Sequence, residues 1–220
     1  MSFRAVLFDL DGTLLDTVAD LADATNAALG QMGFAGHPVE AYKRMIGDGM
    51  EMLARRVLPA EQCDAAAVAR CAALVKQEYA SCWSRKTRPF AGIPELLDAL
   101  AARGLPTAVL SNKPEEFTQL CVARLLGRWR FAAVLGQSPR LPKKPDPAGA
   151  RQIAARLGQP PGEIVYLGDT DTDMQTAVAA GMFPAGALWG YRDREELLAH
   201  GAKALLQQPP DLLGLLGFVP

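Results

Sequence analysis

Four short runs in this sequence have the residue types and spacing that chemistry requires. The first is Asp9-Leu10-Asp11-Gly12-Thr13-Leu14, directly after the apolar run Ala5–Phe8. Two carboxylates two residues apart at a strand end stand at the carboxyl edge of a sheet, where open α/β sheets bind ligands. Gly12 lets the backbone come close to an oxyanion. An ordinary polar turn has the same composition. The second run, Gly168-Asp169-Thr170-Asp171-Thr172-Asp173, places three aspartates at alternate positions. A calcium loop beginning at Asp169 needs Gly at its sixth place and Glu at its twelfth; Met174 and Ala180 stand there, which excludes an EF-hand. Gly12 comes too early for Asp9 to begin such a loop. Two readings remain for the aspartates: they share an oxygen-ligand site for Mg²⁺ with Asp9, or they cap a helix that begins near Asp171.

The third run, Ser111-Asn112-Lys113-Pro114, reads as a helix start, with Pro114 near the first position and Glu115 and Glu116 in the first turn. Helix N-termini offer N–H groups to phosphate, and a plain N-cap accounts for the same residues. In the fourth, Lys143-Lys144-Pro145-Asp146-Pro147, two prolines fix the backbone beside a lysine. A lysine held in this way can neutralise a transferring phosphoryl group; the alternative is a solvated basic loop.

These runs need elements to position them. Apolar segments at Ala5–Phe8, Thr107–Leu110, Ala132–Leu135, Ile164–Leu167 and Ala185–Leu188 read as buried strands. Helical patterns at Pro114–Leu126, Pro147–Leu157 and Asp171–Ala180 alternate with the later strands, which predicts an α/β fold with a parallel sheet. A βαβ unit takes ~30 residues, and the stretch from Phe8 to Thr107 is about three times as long. Residues 16–84 read as helix, with apolar stripes at Leu21, Ala24, Ala28 and Leu29, at Met50, Leu53, Ala54 and Val57, and at Ala69, Ala72, Ala73 and Val75. The expected division is a core of residues 1–15 and 85–220 carrying an all-helical insertion at 16–84.

Composition removes several function classes. The chain has 220 residues, 50% of them hydrophobic, enough for a sizeable core. Lys+Arg is 23 against Asp+Glu 24, for a net charge of -1, so no general affinity for nucleic acid or anionic membranes is expected. Arg124, Arg128, Trp129 and Arg130 read as edge packing at a helix end. Cys63, Cys71, Cys82 and Cys121 form no C-x-x-C pair and read as buried free thiols; with only two histidines a zinc site is not expected. No secretory pattern opens the chain and no run approaches a membrane span, so the expected compartment is the cytoplasm. The apolar tail Leu212–Pro220 reads as core packing or a dimer contact.

Taken together and in this order, DxDGT at a strand end, Ser-Asn, K-P-x-P and GDxxxD resemble the haloacid dehalogenase superfamily over nearly the whole chain. The helical insertion is similar to that superfamily's C1 cap. Arg44-Met-Ile-Gly47-Asp-Gly49 with Leu53, Pro89-Phe-Ala-Gly92-Ile93, and Trp189-Gly190-Tyr191 resemble its phosphoglycolate phosphatase branch. The resemblance implies a Rossmann-like parallel core with an inserted helical cap. It also implies a Mg²⁺-dependent phosphomonoesterase that works through an aspartyl-phosphate on a small phosphorylated metabolite, 2-phosphoglycolate first.

Position by position, it implies that Asp9 is the nucleophile and that Asp11 protonates the leaving alcohol, then activates water. Mg²⁺ would sit on Asp9, the Asp11 carbonyl and Asp169, with Asp173 a ligand or a support. Gly12, Ser111, the N–H of Asn112 and Lys144 would hold the phosphoryl group; Lys143 is not assigned this role, and Asp171 falls off the pattern. In the cap, Arg44, Gly47 and Gly49 would set specificity. Arg44, Arg55 and Arg56 are cationic candidates for a substrate carboxylate, against a solvated helix face. A sugar-phosphate phosphatase is the main alternative. A β-phosphoglucomutase-like mutase would typically carry E-D where Gly168-Asp169 stands. A non-catalytic phospho-accepting regulator would lack the insertion. The expected assembly is a monomer or homodimer.

Overall fold

A computed structural model describes residues 3–218. In chain order the elements are β1 Ala5–Phe8, β2 Leu15–Asp16, α1 Val18–Gln31, α2 Val39–Met45, α3 Met50–Val57, α4 Ala65–Cys82, β3 Arg88–Pro89, α5 Ile93–Ala102, β4 Thr107–Pro114, α6 Glu115–Leu125, β5 Ala133–Gln137, α7 Ala148–Leu157, β6 Ile164–Gly168, α8 Asp171–Ala180, β7 Phe183–Ala187, α9 Arg194–Ala199, β8 Ala204–Leu206 and α10 Asp211–Leu215.

Six parallel strands form one sheet in the order β5-β4-β1-β6-β7-β8. Strand β1 is apolar throughout because both of its faces are covered. Val6 and Phe8 join Leu96, Leu100 and Val122 on one side of the sheet. Ala5 and Leu7 join Ile153, Ala154 and Ala177 on the other. Phe8 pairs with Val109 of β4 and with Leu167 of β6. Strand order reverses around β1, and the carboxyl ends of β1, β4 and β6 meet at that crevice.

Helices α1–α4 share an apolar cluster built on Leu21, Ala28, Leu29, Leu53, Val57, Val75 and Tyr79, which Phe117 of α6 and Tyr191 join. The chain enters and leaves them through an antiparallel pair, Leu15 opposite Pro89 and Asp16 opposite Arg88. Asp20 in α1 is fully buried beside this crossing. Its carboxylate accepts from the N–H of Lys86 at 2.9 Å and from the N–H and hydroxyl of Thr87, each at 2.8 Å. An Asp20→Ala change would leave the two buried Thr87 donors and the partly buried Lys86 N–H unpaired. We expect a loss of about 3 kcal/mol and a fall in melting temperature on the order of 10 °C, with Asp20→Asn recovering part of it. Thermal denaturation of the two variants checks this.

The structure amends several expectations about elements. In α4 the buried face is Val68, Cys71, Val75, Tyr79 and Cys82, whereas Ala69 and Ala73 are exposed. Alanine favours helix on any face, and the bulkier side chains select the face that packs. Residues 111–113 extend β4 rather than open a helix; the ladder is irregular between Leu110 and Pro114, and α6 begins at Glu115. Strand β8 and the β2–β3 pair were too short to show a periodicity. Cys71, Cys82 and Cys121 are buried free thiols and Cys63 is half-buried. Trp129 donates to Asp98 at 2.8 Å and stacks under Arg128, which is edge packing. Leu212 is buried, and Leu213, Leu215, Leu216 and Phe218 pack on the core; Val219 and Pro220 lie outside the described residues. No helix among the described residues is long and apolar enough to cross a membrane.

Candidate active site

Because β1, β4 and β6 are adjacent, their ends deliver Asp9, Ser111 and Asp169 to one place. Asp9, Asp169 and Asp173 are buried, and each offers a carboxylate oxygen within 4.8 Å of the others. Lys144 reaches between them, donating to Asp9 Oδ1 at 2.7 Å and Asp173 Oδ1 at 2.6 Å. Burial opposes the charge on this lysine, but Asp173 and Asp9 more than offset it and hold its pKa well above the ordinary value. The carboxylates pay for the crowding in the opposite sense. Burial, then the charge of Asp173, pushes the Asp9 carboxyl well up, and the same two causes push Asp169 up to about 7. One lysine faces three buried carboxylates. Surplus negative charge on oxygen donors in a nearly dry site fits a hard divalent cation.

The surroundings divide the three aspartates by task. Asp169 accepts one hydrogen bond on each oxygen, from the Thr13 hydroxyl and from the N–H of Tyr191, both at 2.8 Å. Each oxygen therefore keeps a lone pair for another partner. Gly12, at φ +89°, and Gly190 both press on this side chain, and a Cβ at either would collide with it. Asp173 is more fully engaged. Its Oδ2 accepts from the N–H and hydroxyl of Thr170, closing a capping box at the start of α8. Its Oδ1 accepts from Lys144 and, at 3.1 Å, from Tyr166. Asp173 thus takes the helix-capping role that the sequence offered as one alternative and adds a charge pair with Lys144.

A cavity of about 40 Å³ opens between the sheet end and the helices, room for a few water molecules. Asp9, Asp11, Ser111, Asn112 and Lys113 line its floor; Leu21, Ile46, Gly47, Gly49, Met50 and Leu53 line its roof. The Asn112 side chain ties the floor together. Its oxygen accepts from the Lys144 N–H at 2.8 Å, and its nitrogen donates to the carbonyls of Lys144 and Gly47, each at 3.1 Å. Gly49, at φ +85°, is needed for close approach, since a Cβ there would lie 2.7 Å from Gln137 Oε1. Thr172 donates to Asp48 at 2.9 Å, and Arg192 donates to the carbonyls of Lys43 and Ile46, so the loop 46–49 is held down on the core.

Two expectations need correction. Arg44 does not reach the cavity. Its guanidinium is exposed and bridges Asp193 at 2.7 Å and Glu196 at 2.8 Å, on the helix that follows β7. Arg55 is exposed and Arg56 pairs with Asp48, so none of the three arginines faces the site. The cation that the sequence reading passed over is Lys113, buried and paired with Asp11 at 3.0 Å. Burial opposes its charge, and Asp11 more than offsets the penalty, holding its pKa well above the ordinary value. Its signal was the two-residue spacing from Ser111, which in a strand places both side chains on one face.

Known proteins resemble this chain over most of its length. The family profile of haloacid dehalogenase-like hydrolases matches residues 6–187. A phosphoglycolate phosphatase from Xylella fastidiosa is 35% identical over 207 residues, 94% of this chain and 90% of the relative. One from Aquifex aeolicus is 30% identical over 221 residues, covering 97% and 96%. A crystal structure from Lactobacillus delbrueckii subsp. bulgaricus, provisionally given the same enzyme name, superposes with a TM-score of 0.92 at 32% identity, covering 98% and 99%. With the parallel α/β core, the acidic cluster at its switch point and a match over most of its length, the chain belongs to the haloacid dehalogenase-like hydrolases.

Proposed function

We propose that this chain, a phosphatase of that family, hydrolyses 2-phosphoglycolate in a Mg²⁺-dependent reaction through a phosphate ester of Asp9. The observation that carries the reading is the meeting of Asp9, Asp11 and Ser111 at one small cavity, with Lys144 paired to Asp9 behind it. Helices α1–α4, residues 16–84 with their connections, act as the cap over it, and residues 1–15 and 85–220 form the core.

Asp9 attacks phosphorus and the ester bond to the leaving alcohol breaks; Asp11 supplies the proton to that alkoxide. Asp11 then takes a proton from water, which attacks the aspartyl-phosphate, releasing phosphate and restoring the Asp9 carboxylate. Ser111, the Asn112 N–H and the Gly12 backbone hold the phosphoryl oxygens. Lys144 keeps the Asp9 carboxylate oriented and adds positive charge beside it. Asp9, the Asp11 carbonyl and Asp169 would hold Mg²⁺, which when bound offsets negative charge on the transferring group. Asp173, with both oxygens already engaged, positions Lys144 rather than joining that set. The names of the relatives from Xylella and Aquifex support this substrate.

The test is phosphate release from a panel of small phosphomonoesters, with Mg²⁺ and with EDTA. Release that requires Mg²⁺ and favours 2-phosphoglycolate is expected. Preference for a sugar phosphate would replace the substrate and keep the mechanism; interconversion of sugar-phosphate isomers without release would mean a mutase. Metal binding has a readout free of turnover. Mg²⁺ at 100 times its dissociation constant should stabilise the fold by about 2.7 kcal/mol, seen as a higher melting temperature; an unchanged melt across the Mg²⁺ titration would contradict it.

A further inference from the structure

Among the described residues that line the cavity, Lys113 is the one cation. Its ammonium has almost no solvent exposure, 3% for the side chain. Asp11 holds it on one side, with both carboxylate oxygens at 3.0 and 3.1 Å. The ring of Tyr79 from α4 covers it on another, 4.6 Å from the ammonium to the ring centre. A buried ammonium needs an anionic partner, since removing the partner leaves an uncompensated charge. Yet Asp11 cannot both chelate Lys113 and deliver a proton to a leaving alkoxide. The roof over the cavity is apolar, from Leu21, Ile46, Met50 and Leu53, and offers no competing anion.

We propose that Lys113 is the specificity residue for a substrate carboxylate. The carboxylate of the substrate takes the place of Asp11 on the ammonium, and Asp11, no longer held as a carboxylate by the cation, is free to take from solvent the proton that it passes to the leaving alkoxide. This rests on the phosphomonoesterase reading given above. A carboxylate beside the ester is then read twice, once as binding energy and once as the event that frees Asp11. An ester without a second anionic group leaves Asp11 tied to Lys113. Discrimination comes from the core, on the strand that also carries Ser111, and not from the arginines of α2 and α3.

The experiment compares 2-phosphoglycolate with ethyl phosphate, which lacks only the carboxylate function, in wild type and in Lys113→Met. Loss of a buried charge pair predicts a fall of about 100-fold in kcat/KM for 2-phosphoglycolate. For ethyl phosphate kcat/KM should hold or rise, because the substitution removes no interaction that this ester makes and unties Asp11. Equal losses on both esters would assign Lys113 to the phosphoryl group or to Asp11 alone and overturn the proposal. A wild type with no preference for the carboxylate ester overturns this proposal and the substrate reading together. A preference that survives Lys113→Met overturns this one only.

A second pair of variants covers a Lys113→Met protein that fails to fold. Asp9→Asn keeps the Lys113–Asp11 pair and Asp11→Asn removes it, and both should bind esters with little turnover. By calorimetry, the ratio of affinities for 2-phosphoglycolate over ethyl phosphate should be about tenfold higher in Asp11→Asn. Equal ratios would overturn the exchange.

Discussion

Asp9→Asn is expected to reduce phosphate release by at least about 10⁴-fold in kcat while leaving the melting temperature of the metal-free protein unchanged or higher. The amide keeps the shape of the side chain and an oxygen to accept the hydrogen bond from Lys144, now at 2.7 Å. It cannot form the phosphate ester, so the loss falls on turnover. Stability moves the other way because three carboxylates converge here on one lysine. Removing one of three crowded buried charges relieves repulsion without orphaning Lys144, which retains Asp173. Single-turnover phosphate release and a thermal melt on the same preparation separate the two effects. Residual release within tenfold of wild type would contradict the role given to Asp9.

The second large effect belongs to Lys144. Lys144→Met would leave Asp9, Asp169 and Asp173 buried with no cation. Breaking a buried pair from one side costs about 3–5 kcal/mol, and loss of a charge-stabilising group costs on the order of 10³-fold in kcat. Mg²⁺ should recover part of the melting temperature, because it too neutralises the cluster, but not the rate. Lys143→Met is the neighbouring control. Lys143 is exposed and its contact is a 3.4 Å approach to the Asp48 carbonyl, so its rate and melt should stay near wild type. Kinetics and melts of both variants, with and without Mg²⁺, decide which lysine holds the cluster.

Much of this site could be read before any coordinates. Asp9, Asp11 and Asp169 each follow a short run of apolar residues, and a strand buried on both faces leaves few other places for charge than its ends. Alternation of those strands with helices fixes a parallel sheet, and a parallel sheet fixes which ends face the ligand. Strand order was not legible, because the adjacency of β1 to both β4 and β6 is a pairing across more than 90 residues on either side.

Lys113 was missed for a local reason. Pro114 and two glutamates suggested a helix start at Ser111, where residues two apart do not share a face. The strand instead runs on to Pro114, and its two-residue period brings Lys113 to the same cavity as Ser111. Arg44 failed for a distant one. Its partners Asp193 and Glu196 are about 150 residues away along the chain, so nothing near α2 announced that its guanidinium was already engaged. The alanine-rich face of α4 failed because alanine carries too little apolar surface to decide which side packs.

The β2–β3 crossing has a consequence for how such a chain diversifies. Leu15 and Asp16 lie against Pro89 and Arg88, so the roughly seventy residues between them leave and rejoin the sheet at one point. Loop-closure entropy grows only with the logarithm of length, about 0.6 kcal/mol for each doubling, and here the two ends are already hydrogen-bonded neighbours. A segment attached in this way can lengthen, shorten or be replaced by another of different sequence while the strands around Asp9 keep their register. The helices over the cavity can therefore be exchanged like a graft, without disturbing the side chains at the strand ends beneath them.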